Sequence, residues 1–275
     1  MNIVNIISAP IILGGLGLIF GVCLSYASKK FEVKADETTE QIRKLLPGAN
    51  CGACGFASCD AYAEALSQGK ASAGACPVGG EQANIKISEF LGVSINGRNT
   101  RNVAKIMCCA HDGDKIKKYV YEGIKSCSAS NSTYGGMYSC IYGCLGFGDC
   151  VKACPFDAIT IENGIAKINE DKCTGCGKCV NACPKKIIKL GKADIKYHVA
   201  CSNVDKGQAV RLVCKKGCIS CGKCAKVCES GAVDFDGKLA RIDADKCINC
   251  GKCYEACPVK CIILLDKVSQ CFCKF

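Results

Sequence analysis

The first 28 residues carry no charged side chain, and an apolar run extends from Ile3 to Ala27. At about 25 residues, that run predicts a helix able to span the roughly 30 Å hydrocarbon layer of a membrane. Lys29, Lys30 and Lys34 follow at once. A positive flank on the C-terminal side predicts a single pass in the cell membrane, with the rest of the chain on the cytoplasmic side. A cleaved signal peptide is the rival reading, but the basic leading segment is missing and the apolar run is long. The pattern then changes to short amphipathic stretches. A helix is expected from about Thr38 to Leu46, stopped by Pro47 and Gly48, and another from about Ser58 to Ser67. Further on, "AITIENGIAKI" and "AVDFDGKLARI" alternate around Asn163-Gly164 and Asp236-Gly237, which predicts two β-hairpins.

Composition alters this picture at one point: 29 of the 275 residues are cysteine. Disulfide scaffolds are short secreted chains, and a cytoplasmic location argues against them. Zinc ribbons place paired C-x2-C knuckles well apart. Cys173, Cys176, Cys179 and Cys183, followed by Pro184, instead form C-x2-C-x2-C-x3-C-P. In that run three thiolates hold one [4Fe–4S] cube and the fourth ligates its neighbour. Cys51, Cys54, Cys59 and Cys76 form a separate C-x2-C-x4-C-x16-C pattern, four ligands for a solitary cube; a zinc knuckle is the alternative there.

The C-terminal half is a tandem repeat. Adding 74 to Cys127, Cys140, Cys144, Cys150, Cys154, Cys173, Cys176, Cys179 and Cys183 lands on cysteine every time. Each unit holds two cysteine runs around one hairpin, the pattern of a two-cluster ferredoxin, with short helices expected after the fourth cysteines. The fold class is therefore α+β: an N-terminal transmembrane helix, a small helical [4Fe–4S] domain and two tandem two-cluster ferredoxin-like domains. The boundaries are 1–28 for the anchor, 29–98 for the single-cluster domain and 99–125 for a connecting segment. The ferredoxin-like domains take 126–192 and 193–265, and 266–275 form a tail.

Ligands follow the crossing rule. In the first unit Cys154, Cys173, Cys176 and Cys179 take one cube, and Cys140, Cys144, Cys150 and Cys183 the other. Phe147 stands where the middle cysteine of this second set belongs, and Cys140 is read as its replacement. In the second unit Cys228, Cys247, Cys250 and Cys253 take one cube, and Cys218, Cys221, Cys224 and Cys257 the other. Cys214 competes with Cys221 for that set, and the regular run favours Cys221. Glu229 replaces the usual proline after Cys228. Five [4Fe–4S] clusters result, and Cys23, Cys108, Cys109, Cys127, Cys201, Cys214, Cys261, Cys271 and Cys273 are left over. Cys23 reads as a small apolar side chain within the span, and the others as buried thiols beside the clusters. A sixth cluster, drawing on the Cys271-Phe272-Cys273 tail, is the alternative.

Little else carries chemistry. His111 and His198 are the only histidines and lie outside the cysteine runs. No G-x-G-x-x-G stands in a strand–turn–helix context, so no flavin or nicotinamide site is expected in this chain. The net charge of +11 is dispersed among the cysteine loops, which argues against nucleic acid. A docking surface for acidic electron carriers, with Lys178 and Lys252 as candidates, suits it better, beside plain solvated lysines.

An anchor, a C-x2-C-x4-C-x16-C domain and two ferredoxin repeats, in that order, resemble the B component of the Rnf complex in its longer, anaerobe-type form. "NCGACGFASCDAYAEAL" and "CIYGCLGFGDCVKACPFDAI" are the most specific stretches, and the resemblance covers essentially the whole chain. It implies an iron–sulfur subunit that accepts electrons from reduced ferredoxin. It would relay them to other integral and peripheral subunits of a complex that reduces NAD and translocates Na+ or H+. An electron-transfer subunit of another membrane-associated redox enzyme is the alternative, and a zinc-binding scaffold a more distant one.

Overall fold

The computed structural model describes residues 14–26, 36–93 and 101–265. The chain divides into two compact units, Met1–Gln41 and Ile42–Phe275. Residues 14–26 form helix α1, whose side chains are exposed on every face, Leu18, Phe20 and Leu24 at 71%, 62% and 69%. Among the described residues no helix is long and apolar enough to cross a membrane. The remainder of the expected span, Lys29, Lys30, Lys34 and the tail with Cys271 and Cys273 lie outside the described residues.

Helix α2 (Glu37–Leu45) ends where Pro47 and Gly48 were expected to stop it. In the second compact unit α3 (Cys59–Ser67) and α4 (Gly80–Leu91) pack Ile42, Leu46, Tyr62, Leu66 and Ile87 into one small core. Ser58 caps α3 by accepting from the Ala61 amide at 3.1 Å. Helix α4 has no counterpart among the sequence expectations. Its buried face is Asn84, Ile87 and Ser88, two of them polar, so hydrophobic periodicity is weak there.

The segment expected only to connect domains carries strand β1 (Asn102–Ile106). Four two-stranded antiparallel sheets follow. β1 pairs with β4 (Ile188–Lys192) in the register Ile106↔Ile188, and β2 (Ile159–Glu162) with β3 (Ile165–Ile168). The second repeat matches this with β5 (Tyr197–Val199) on β8 (Ile262–Leu264), register Val199↔Ile262, and β6 (Val233–Phe235) on β7 (Ala240–Ile242). Each repeat thus has its central hairpin and a second sheet joining its first and last strands. Val103, Ile159, Ile165, Ile187 and Ile188 fill one core, and Val199, Val233, Leu239, Ile262 and Ile263 the other.

The first hairpin turns on Asn163 and Gly164, with φ of 49° and 73°. Both central residues therefore adopt the left-handed region that a two-residue hairpin turn requires. The second differs. Its strands end at the pair Phe235↔Ala240, leaving four loop residues. The Asp236 carboxylate accepts from the amides of Lys238 and Leu239, both at 2.9 Å, and this side-chain turn replaces the tight backbone turn.

The short helices differ from expectation too. Asp149–Lys152, Lys178–Ala182, Lys223–Lys226 and Lys252–Glu255 each carry the third cysteine of a run and stop before the fourth or at it. Gly148, Gly177, Gly222 and Gly251, all at positive φ, turn the chain into them.

Candidate iron–sulfur sites

Near the start of the second compact unit Cys51 and Cys54 lie in a glycine-rich turn, Cys59 opens α3 and Cys76 precedes α4. The Cys59 amide donates to Asn50 Oδ1 at 2.8 Å, and the Gly79 amide reaches the Cys76 sulfur at 3.4 Å. Burial pushes the Cys76 thiol upward, and the sulfurs of Cys54 and Cys51 add to this. Tyr62 backs the site; its hydroxyl donates to Ser72 O at 2.6 Å, and burial raises its pKa to about 12.

In the first repeat Cys154, Cys173, Cys176 and Cys179 line one pocket. The Ala104 amide of β1 points to the Cys173 sulfur at 3.4 Å. Arg101 donates to the carbonyls of Asp171 and Cys173 at 3.0 and 2.9 Å, holding the entry of that loop. In the second repeat Cys218, Cys221, Cys224 and Cys257 line one pocket, together with Cys261. Around Cys253, burial and the sulfurs of Cys247, Cys228 and Cys250 all push its thiol upward.

The remaining set of the first repeat differs from the sequence reading. Cys144, Cys150 and Cys183 line one pocket, and the fourth sulfur lining it belongs to Cys127, not Cys140. Helix α5 (Cys127–Ser132) brings it there. The Asp149 carboxylate accepts from the amides of Cys127 and Ser128, each at 2.9 Å, and so ties α5 to the residue beside Cys150. Burial pushes Cys150 to about 12, with Cys144, Cys127 and Cys183 contributing in that order. Phe147, at the position where a cysteine was expected, packs against Cys127, Tyr138 and Leu145. Cys127 stands outside the regular runs, and the one sequence sign of an irregular set is that position 147 lacks a thiol.

Cys140 and Cys214 go elsewhere. With Cys108, Cys109 and Cys201 they line a separate cavity. The placement leaves Cys221, not Cys214, beside Cys218, Cys224 and Cys257.

The donor sets fit iron–sulfur clusters. Four buried or half-buried thiols gathered around one space, with backbone amides aimed at some of them, supply the donors a cube needs once bound iron replaces their protons. Among the described residues no three of His, Cys, Asp and Glu converge closely enough to hold a single metal ion. His198 is buried in β5 and bonds Ile106 O at 3.1 Å, far from a ligand role. Lys252 is paired with Glu229, the residue that replaces the usual proline.

Comparison with known proteins agrees with the geometry. The FeS family, an Fe-S cluster family, matches residues 46–78, and 4Fe-4S dicluster domains match 141–190 and 217–261. The B component of the Na(+)-translocating ferredoxin:NAD(+) oxidoreductase complex of Acetobacterium woodii is 43% identical over 260 residues, 94% of this chain and 78% of that protein. The chain belongs to the Rnf B-component family. Another relative in that family is the B component of the ion-translocating oxidoreductase complex of Methanosarcina acetivorans, 39% identical over 94% of this chain and 98% of its own length. The proton-translocating counterpart of Clostridium ljungdahlii is 38% identical over 87% and 84%. In this Rnf B component the cysteine-lined cavities thus belong to iron–sulfur domains.

Proposed function

We propose that this chain takes electrons from reduced ferredoxin and passes them through five [4Fe–4S] clusters to partner subunits at the cytoplasmic face of the cell membrane. It is an electron-transfer subunit of an Rnf-type ferredoxin:NAD oxidoreductase complex that translocates Na+ or H+. The observation that carries the reading is the set of five cysteine quartets, one gathered from neighbouring loops and four completed by a cysteine from another part of the same repeat. Their ligands are Cys51, Cys54, Cys59 and Cys76; Cys127, Cys144, Cys150 and Cys183; and Cys154, Cys173, Cys176 and Cys179. Cys218, Cys221, Cys224 and Cys257, and Cys228, Cys247, Cys250 and Cys253, complete them.

A cluster held in such a set supplies reversible one-electron transfer over a wide range of potentials. The chain's own part is to hold the sulfurs, exclude water with the two apolar cores, and aim amides such as that of Ala104 at them. The bare apolar surface of α1, followed by three lysines in the sequence, supports membrane attachment. The excess of basic residues supports docking of an acidic ferredoxin. The test is anaerobic titration of the full chain with reduced ferredoxin, followed by low-temperature EPR. Interacting cubic-cluster signals that grow with added donor are expected. Zinc in place of iron, or clusters that only dithionite reduces, would sink the reading.

A further inference from the structure

The cavity lined by Cys108, Cys140, Cys201 and Cys214 is used by none of those five sets. Its construction follows the internal repeat. Cys140 and Cys214 are one pair, 74 residues apart. Cys108 and Cys201 are another, which the sequence offset conceals. The Met107 amide donates to Ile187 O and the Ala200 amide to Cys261 O, both at 2.8 Å. Ile187 and Cys261 are matched by the repeat, so Met107 matches Ala200 and the next residues, Cys108 and Cys201, match each other. Each repeat therefore contributes one cysteine just beyond its first strand and one just before its first regular run.

A single segment draws the two halves together. Ile116 N donates to Val213 O at 3.2 Å and Lys215 N to Asp114 O at 2.9 Å. On its other side Ser139 N donates to Ile116 O at 2.7 Å and Lys118 N to Met137 O at 2.8 Å. Cys140 and Cys214 are thus brought to the same place by one strand-like bridge.

We propose that Cys108, Cys140, Cys201 and Cys214 hold a sixth [4Fe–4S] cluster at the junction of the two ferredoxin-like repeats. All four thiols are free, and three are buried and the fourth partly so. Cys108 is among the neighbours that raise Cys140, Cys201 and Cys214, after burial itself, so the sulfurs face one space. Polar groups already point at them: Asn203 Nδ2 lies 3.7 Å from the Cys140 sulfur, and the Cys218 amide 3.4 Å from that of Cys201. Cys109 is excluded because its thiol turns toward Lys216 O at 3.9 Å and it packs in the core of the second repeat.

The position gives the cluster its use. Cys108 acts electrostatically on Cys144, a proposed ligand in the first repeat, and Cys201 is hydrogen-bonded to Cys218, one in the second. One electron passes in from one repeat and out to the other, with no bond made or broken. This assignment rests on the iron–sulfur reading above but not on ferredoxin as donor.

The experiment is iron, acid-labile sulfide and zinc analysis with Mössbauer spectroscopy on the full chain, isolated anaerobically. About 24 iron atoms per chain are expected, four per cube. The Cys108→Ala/Cys201→Ala variant should lose about four, while Cys109→Ala loses none. A wild-type value near 20, or near 20 with one zinc, overturns the proposal however the variants fold. So does a double variant that keeps all its iron. Failure of ferredoxin to reduce a chain with its full iron complement would overturn the donor reading alone.

Discussion

The sulfur of Cys261 lies 3.7 Å from that of Cys257 and is buried to 2% exposure. A hydrogen bond from the Cys261 thiol, first among the causes, brings Cys257 down to about 5 and Cys218 to about 6, while Cys261 itself is pushed up. Cys261 therefore keeps its single S–H, shared between two sulfurs proposed to bind iron. Such a donor favours the reduced, more negative cluster. Cys261→Ala should lower that potential. About 1 kcal/mol of lost hydrogen bonding corresponds to roughly 40 mV for one electron. A redox titration followed by EPR reads the shift, and an unchanged potential would refute it.

Lys115 has a fully buried side chain. Its ammonium donates to Cys144 O and Gly164 O, each at 2.9 Å, lies 3.6 Å from Asp112 Oδ1 and sits 4.1 Å over the Tyr138 ring. Lys115→Met keeps the stem's packing but strips both carbonyls of their donor. A loss of about 2–3 kcal/mol is expected, since hydrogen bonds from charged groups are the stronger kind. Anaerobic denaturant unfolding, followed by cluster absorbance, measures it.

Gly175 stands between Cys173 and Cys176 with φ of 70°, and a Cβ there would meet Asn102 O at 2.4 Å. Strand β1 approaches the cysteine loop that closely because no side chain intervenes. Gly175→Ala is expected to push β1 away and cost the Cys154–Cys173–Cys176–Cys179 site its cluster, about four iron atoms per chain. Full iron retention would contradict it.

His198 is buried and held neutral: desolvation lowers its pKa to about 4, against a hydrogen bond with Ile106 O that opposes the shift. The unfolded chain gains this proton near pH 6.5, the folded one only near 4. Its contribution to stability is therefore complete above about 6.5 and is lost as pH falls toward 4, amounting to about 3 kcal/mol at roughly 1.4 kcal/mol per pH unit. In His198→Gln the stability should fall less steeply over that window. Parallel wild-type and variant curves of unfolding midpoint against pH would refute the assignment.

The cysteine runs, the repeat and the first hairpin were legible because each depends on neighbours within a few residues. Asn163-Gly164 fixes its own turn. Cys127 and Cys108 were not legible, because each reaches its partners through contacts dozens of residues distant. Cys108 depends on strand pairing of β1 with β4, and β1 gives only a five-residue signal. The repeat offset of 74 also misaligned it, since the first repeat has extra chain between its first strand and Cys127. Helix α4 escaped for a different reason, its buried face being partly polar.

The bridge from Asp114 to Lys118 also sets an order of events during biogenesis. Its hydrogen-bonded partners on one side, Met137 and Ser139, leave the ribosome soon after it, while Val213 and Lys215 follow about a hundred residues later. At about 5–20 residues per second, the roughly 75 residues between Ser139 and Val213 take about 4–15 s. Through that interval Cys108 and Cys140 wait half-enclosed, so delivery of the proposed junction cluster has to follow translation of Cys201 and Cys214 in the second repeat.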